Sequence, residues 1–360
     1  MSDVLTPGSV DELVEAVRSS PRVLAVGNGT KARLSEVDAT KLSLTRLRGI
    51  LEYEPSEFTF TALAGTPVRD LVNTLASRGQ YLPFDPFLVE AGATLGGTAA
   101  AGLSGPGRFR FGGLRDFILG ARFVDGAGRL LRLGGKVVKN AAGFDVPKFV
   151  IGGLGRFGVL VELTFKVFPA RTASVTCRLR STGVEDSTRL LAEIARSRFE
   201  ADAIDIPPGD RGILVRLAGP ASALELMAGD LLARWPGEKL PSDEAGAIWS
   251  RLREFGWAYP GGLLVKVPLT ARALPESYQA LSSLAGIRIH VSSGGSLAFL
   301  SLPGTQGSDE LSERLSGLSL TGLTLHGNAP LWLNRRPDPQ IAHSVKSALD
   351  PGNRFPGLDE

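Results

Sequence analysis

Apolar residues recur along this chain with two periods, and the shifts between them mark its elements. Val10, Leu13, Val14 and Val17 fall on one helical face. Ser9 and Glu12 frame the start of that helix as a capping box, and Pro21 ends it. Val23–Val26 is a short apolar strand that runs into Gly27-Asn28-Gly29. Pro67–Ser77 returns to helical spacing, with proline at or near its first position and Gly79 as its stop. Thr94–Ala101 predicts a short helix that starts on bare backbone N–H groups. The run "RDFILGARFVDGAGRLLRLGG" alternates as strand, Asp125-Gly126 turn region and strand, a hairpin. Gly158–Pro169, "GVLVELTFKVFP", is a strong strand stopped by proline. Residues 1–170 therefore predict an α+β unit with several antiparallel strands.

Beyond 170 the pattern changes. Strands are expected near 173–180, 202–206, 212–218 and 238–240, with helices near 185–198 and 221–235. After a helix near 243–254 the order returns: strand 262–267, helix 275–285, strands 286–291 and 296–302, helix 308–317, strand 321–326. Each set is β-α-β-β-α-β, the ferredoxin-like order, repeated in topology and not in residues. A last helix near 339–349 precedes "DPGNRFPGLDE". The expected fold class is α+β, divided into 1–170, a second domain over 171–335, and a C-terminal helix and tail over 336–360.

The letters Gly27-x-Gly29-x-x-Ala32 after a strand match a dinucleotide fingerprint. That fingerprint needs a crossover helix and a second parallel strand ending in an acid. The sequence after Ala32 offers one helical turn at most, then a run of strand-like alternation. The nicotinamide reading fails on the missing helix.

Composition narrows the picture further. Glycine makes up 44 of 360 residues, well above the usual level of about 7%. The glycines gather in 92–107, 112–113 and 134–158, which is the distribution of a site. Glycine lets a main chain approach phosphate oxygens and donate its N–H groups to them. Two glycine loops about 65 residues apart suit a long cofactor carrying a diphosphate, with Thr30 adding a hydroxyl and Lys31 a charge. A net charge of +3 without a Lys/Arg block gives no case for nucleic acid. A single cysteine, Cys177, excludes an internal disulfide and a cysteine-held iron–sulfur centre within the chain. No apolar run is long enough to span a bilayer and no signal pattern opens the chain. A cytoplasmic chain is expected, with any membrane association made through partner subunits.

The chain resembles the FAD-binding subunits of bacterial glycolate oxidases (glycolate dehydrogenases), within the vanillyl-alcohol-oxidase-type (PCMH-type) FAD superfamily. The likeness is carried by "GNGTK" (27–31), "LAGTPVRDL" (63–71), "GQYLPFDP" (79–86), "GATLGGTAAAGLSGPGRFRFGGLRDFILG" (92–120), "GGKVVKNAAGFDVPKF" (134–149) and "GGLGRFGVLVELTFKVFP" (152–169). Residues past 170 match more loosely, through the predicted order and "LDPGNRFPG". The resemblance implies a two-part FAD-binding domain with the pyrophosphate between the two loops. Gly27, Asn28, Gly29, Thr30 and Lys31 would form the first loop, and Ala64 and Gly65 would lie beside the adenine-side backbone. Pro83 belongs to the implied set. Gly92, Ala93, Thr94, Gly96, Gly97, Gly102 and Ser104 would run along the pyrophosphate and flavin. Gly158 and Val159 would close over the adenine half. Lys139, Asn140, Gly143 and Asp145 would form a loop approaching the flavin, with Phe144 where the family usually has tyrosine. Neither loop carries the histidine or cysteine that tethers flavin in many relatives, so non-covalent FAD is expected.

Reduced flavin gathers negative charge near N1 and O2, where a cation is expected. Lys139 and Arg115 are the candidates, with pairing to Asp145 or Asp116 as the alternative. The chain has only His290, His326 and His343, with no His-x-His. His326, at a strand end, is the best placed of these for a site; His290 reads as a strand residue and His343 as solvated. The resemblance implies a redox subunit oxidising glycolate to glyoxylate together with a catalytic FAD subunit and an iron–sulfur subunit. A self-sufficient FAD dehydrogenase of a small hydroxy acid or alcohol, and a flavin-free assembly subunit, stay open as alternatives.

Overall fold

The computed structural model describes residues 4–135, 146–209, 212–304, 306–336 and 339–360. Their packing forms two units. The first comprises Met1–Ser104, Gly113–Ala170 and Pro337–Glu360, the second Gly105–Gly112 and Arg171–Arg336.

In the first unit, β1 (Val4–Leu5), β2 (Val23–Val26) and β3 (Thr40–Ser43) form a parallel sheet in the order β1-β3-β2. Helix α1 (Val10–Ser19) starts as the capping box predicts, with the Ser9 hydroxyl accepting the Glu12 amide at 3.1 Å. It buries Leu13 and Val17. The β2–β3 crossover holds a single 3-10 turn, Ala32–Ser35, where a dinucleotide fold would have a helix. A second sheet is antiparallel in the order β4-β5-β9-β7-β8. Its strands are β4 (Ile50–Glu54), β5 (Thr59–Leu63), β7 (Ile118–Val124), β8 (Leu130–Gly134) and β9 (Val159–Lys166), while β6 (Gln80–Tyr81) pairs with β10 (Phe168–Pro169). Central β9 buries both faces from Val159 to Phe165, which is why its sequence is nearly all apolar. Phe60, Phe84 and Phe165 pack in this core with ring centroids 6.1 Å apart. Helices α2 (Val68–Ala76), α3 (Leu95–Ala101) and α5 (Leu114–Phe117) complete this half; α4 (Arg108–Phe111) belongs to the second unit.

The second unit is two copies of one topology. In the first copy, β11 (Ala173–Arg180), β12 (Ala203–Asp205), β13 (Gly212–Gly219) and β14 (Gly237–Lys239) order as β12-β13-β11-β14. Helices α6 (Val184–Ala195) and α7 (Ala221–Arg234) connect them, and α8 (Ser242–Arg253) leads into the second copy. There β15 (Leu263–Pro268), β16 (Arg288–Ser292), β17 (Leu297–Leu302) and β18 (Gly322–His326) order as β16-β17-β15-β18, with α9 (Leu274–Ser282) and α10 (Ser308–Gly317) between them. Strand β19 (Trp332–Leu333) extends the edge. Both sheets have the ferredoxin-like order that the element sequence predicted. Their edges meet where Ile206 and Val291 exchange backbone hydrogen bonds of 2.8 and 3.0 Å. Beside that bridge the buried Asp205 carboxylate accepts from His290 Nε2 at 2.8 Å, Ser292 Oγ at 2.9 Å and the Ser293 amide at 3.0 Å. Cys177 lies in the shared apolar core, and burial pushes its thiol up to about 11, so it is chemically quiet.

The packing departs from a division in chain order in two places. Residues 105–112 join the second unit because Phe109 packs on its core and Arg110 pairs with Glu200 at 2.8 Å. The tail joins the first unit through α11 (Pro339–Leu349). Lys346 Nζ donates to the Arg156 and Phe355 carbonyls at 2.8 and 2.9 Å and to Asp350 Oδ2 at 2.5 Å. Asp350 in turn accepts the Arg354 and Phe355 amides. Arg354 reaches the Val17, Arg18 and Ser20 carbonyls at the end of α1. The tail thus closes on the base of β2, whose Val23 amide donates to the Arg354 carbonyl at 2.7 Å.

Asp350→Ala strands a buried ammonium and is expected to cost the first unit about 3–5 kcal/mol, with Lys346→Met costing less because the Asp350 carboxylate it leaves keeps the Arg354 and Phe355 amides. Urea unfolding followed by far-UV dichroism checks the order; equal midpoints for both variants and the parent would contradict it.

Candidate functional site

A groove walled in part by glycine backbone lies in the first unit, where β2 ends. The turn Gly27–Lys31 leaves the sheet beside the start of α3, and the two segments line one groove of about 740 Å³, counting its open mouth. Gly27, Asn28, Gly29, Thr30, Lys31, Ala64, Thr94, Gly96, Gly97 and Gly158 all contribute to it. Two bends some 65 residues apart in sequence therefore share a wall.

Contacts too close for a side chain hold the walls in place. A Cβ at Gly27 would stand 2.3 Å from Thr94 Oγ1, and one at Gly96 would stand 2.7 Å from the Ala64 methyl and 2.9 Å from its carbonyl oxygen. The Asn28 side chain locks the loops together by donating to the Gly92 carbonyl at 2.7 Å. Gly29 turns the chain with φ of +67°, a conformation that favours glycine.

The two loops differ in what they offer a ligand. The amides of Gly27, Asn28, Gly29 and Lys31 have no acceptor among the described residues. Those at the start of α3 are taken: Leu95 donates to Thr66 O, Gly96 to Ala64 O, and Gly97 to Thr94 Oγ1, which caps the helix. The expectation of bare N–H groups there is corrected. The glycines of the second loop give close packing, and the donors come from the first. Among the described residues the lining holds one cation, Lys31, and no carboxylate, histidine or cysteine. Lys31 is 8% exposed, its Nζ donates to Thr30 Oγ1 at 3.0 Å, and burial pushes its ammonium down to about 8. Such a groove, with free amides, one amine and no acid, suits a ligand with a polyanionic centre.

Other expected residues flank the groove without lining it. Gly65 fits against Leu44, where a Cβ would stand 1.8 Å from the carbonyl oxygen. Pro83 is buried in the turn after β6. Gly92 presents its carbonyl to Asn28, and the Ala93 carbonyl accepts from Val68. Gly102 ends α3 with φ of +60°, the Ser104 hydroxyl accepts from the Leu114 amide at 3.0 Å, and Val159 is buried in β9. Lys139, Asn140, Gly143, Phe144 and Asp145 lie outside the described residues. Arg115 is exposed on α5, and Asp116 caps the Gly113 amide at 2.8 Å instead of pairing with it. His326 is half-buried at the end of β18 in the second unit. His290 is fully buried on Asp205, and His343 is exposed on α11. Among the described residues no cluster of His, Cys, Asp and Glu could hold a metal.

Leu154 and Gly155 also line the groove, and no individual role was expected of them. The available signal was the small-residue run "GGLGRFG" before β9. Leu154 takes a positive φ of +52° and donates to the Ala100 carbonyl at 2.9 Å. Its neighbour Arg156 is almost fully buried and donates to the Leu154 and Leu34 carbonyls, tying the far wall to the turn after the first loop. Burial pushes this guanidinium down to about 10.

Residues 2–134 match a family model described as "FAD binding domain". Glycolate oxidase subunit GlcE of Escherichia coli strain K12 is 35% identical over 247 residues, covering 68% of this chain and 67% of that protein. A D-2-hydroxyglutarate dehydrogenase of Xanthomonas citri pv. viticola is 33% identical over 171 residues, and the chain spans only 36% of it. Glycolate oxidase subunit GlcD of Bacillus subtilis strain 168 is 24% identical over 203 residues, which is 43% of its length. A solved structure of alkyldihydroxyacetonephosphate synthase superposes with a TM-score of 0.69 over 98% of this chain and 76% of that one. At 16% identity that likeness is one of fold.

Gly96→Ala forces α3 away from Ala64 and is expected to cost about 1–3 kcal/mol, whereas Gly97→Ala meets only the Thr94 hydroxyl, at 3.0 Å, and costs less. Thermal melts of the two variants test the ranking, and an unshifted melt for Gly96→Ala would remove the close approach from the account.

Proposed function

We propose a redox role for this chain, which belongs to the FAD-binding family of glycolate oxidase subunits: it holds FAD non-covalently within a multi-subunit enzyme that oxidises glycolate, or a close 2-hydroxy acid, to the oxo acid. The observation that carries this reading is the convergence of both glycine loops on one acid-free groove. FAD, when bound, would supply a redox centre that takes up electrons within the complex and passes them on. The amides of Gly27, Asn28, Gly29 and Lys31 are suited to the diphosphate, and the Lys31 ammonium to its charge. Asn28 and Thr94 keep the two loops together. Ala64, Leu154, Gly155 and Gly158 shield the adenine half from water. The absence of histidine and cysteine from residues 27–31 and 92–107, and from the described lining, supports retention of FAD without a covalent link.

A catalytic FAD subunit and an iron–sulfur subunit complete the enzyme in this reading. Its support is that the chain's three histidines are one buried strand residue, one exposed helix residue and His326 at the end of a strand of the second unit, with no cluster among the described residues that could hold a metal. Oxidising a hydroxy acid requires a base for the hydroxyl proton and a cation for the carboxylate. The partner subunit provides them, while this chain passes electrons on. Among the described residues no helix is long and apolar enough to cross a membrane.

The purified chain is expected to be yellow, with one FAD per chain that acid precipitation releases. Glycolate alone is expected to leave the colour unbleached, and glycolate with the co-purified partners to bleach it. A colourless chain would end the redox reading, and bleaching without partners would make this subunit a dehydrogenase in its own right.

FAD affinity should also depend on pH through Lys31. A diphosphate beside the amine raises its lowered value back toward the ordinary one, so binding takes up a proton above about pH 8. Affinity is then flat below that value and falls by up to about tenfold per pH unit above it. Lys31→Met is expected to bind FAD about 10- to 100-fold more weakly and to lose the pH dependence. Fluorescence titration of the apoprotein from pH 6 to 10 measures both, and an unchanged slope in the variant would assign the proton elsewhere.

A further inference from the structure

The second unit contains a cavity of about 770 Å³, counting its open mouth, formed between α8 and the sheet face turned away from the helical core. Arg178 of β11, Arg251 of α8 and Arg288 of β16 all line it, together with an apolar wall that includes Leu214, Pro207 and Trp257. No carboxylate lines it among the described residues.

The three cations are not equivalent. Arg178 is already held by Glu238 at 3.2 Å and Glu244 at 3.1 Å. Arg251 and Arg288 form no ion pair among the described residues. Arg288 is nonetheless fixed in place. Its Nη1 donates to the Trp257 carbonyl at 2.7 Å, and its guanidinium stacks 3.7 Å from the Tyr259 ring centroid. Arg251 is only loosely tied, through Nε to the Gly256 carbonyl at 3.4 Å. Trp257 is 3% exposed, and its indole N–H is buried with no acceptor. A held guanidinium without a counter-charge and a buried donor without an acceptor are each a cost in a folded protein. Arg288 and Trp257 line the same cavity, and an anion there would relieve the charge.

We propose that this cavity of the second unit is a ligand site for a small organic carboxylate. Arg288 and Arg251 bind the carboxylate, and the Trp257–Leu214–Pro207 wall covers the carbon body. A bare inorganic anion would leave that wall uncovered, so the chemistry favours an organic acid over phosphate. The proposal does not depend on the redox role of the chain.

Calorimetric titration of the full FAD-loaded chain with succinate, benzoate and inorganic phosphate tests it. At least one of the two organic acids is expected to bind with a 1:1 isotherm, at least about tenfold tighter than phosphate. Arg288→Gln and Arg251→Gln should each weaken that binding by at least about tenfold. The exposed Arg196→Gln, far from this cavity in sequence and not in its lining, should leave it unchanged. Arg251 sits on the exposed side of α8, so its variant stays informative should Arg288→Gln fold poorly. Flavin content serves as the check on the other site and should be equal in all three variants. No saturable heat from either acid would overturn the site, as would equal affinities across the variants. Phosphate binding as tightly as the acids would overturn the organic ligand. Binding of an acidic peptide but of neither free acid would replace the proposal with a docking surface.

Discussion

Main chain packs against main chain at the groove because several positions have no room for a Cβ. At Gly27, Gly65 and Gly96 a single added carbon would overlap Thr94, the Leu44 carbonyl or Ala64. These contacts bring the end of β2, the end of β5 and the start of α3 within touching distance. The lining that results mixes glycine backbone with small and apolar side chains, and among the described residues Lys31 is its one charged group. The glycines at these three positions are thereby explained as a packing requirement, and of the two loops the first is the one whose amides stay without an acceptor among the described residues. The conformational entropy lost on ordering so many glycines is a real cost. It is offset by the buried antiparallel sheet centred on β9.

That sheet and the parallel one are tied together from below by buried charges. Arg156 and Lys346 sit in the same region, each satisfied mainly by carbonyl oxygens. Asp350 is the acid that balances Lys346, and it also orders the turn of the tail. A Cβ on Gly126 would stand 2.1 Å from Asp350, so the β7–β8 turn is part of the same junction. The terminal "LDPGNRFPG" is thus a fastening of the FAD-binding unit, and its effect on the groove runs through β2 and the turn that follows it.

The second unit shows how a duplicated topology can leave different chemistry on its two faces. Its helix-covered face is a single apolar core shared by both copies. The other face carries Arg178, Arg216, Asp205, Arg288, His290 and Lys266 on neighbouring strands. Burial pushes Lys266 down to about 8, and Asp202 holds Arg216 in a buried pair. Alternation explains the separation, since every second residue of a strand points to the same face.

The sequence by itself determined the elements and their order. Local signals carried α1 through its capping box, β9 through its apolar run, and both β-α-β-β-α-β sets through changes of period, because each depends on residues close in the chain. The failure of the dinucleotide fingerprint was equally legible, since a missing crossover helix is a local fact. Tertiary structure alone decided which amides stay free. Thr66, Ala64 and Thr94 cap the start of α3, and no pattern within 94–101 announces that the first two carbonyls arrive there. It also decided that 105–112 packs with the second unit, that the tail returns to α1, and that Arg178, Arg251 and Arg288 share a cavity. Each of these joins residues tens to hundreds of positions apart, where burial and close contact, not periodicity, set the outcome.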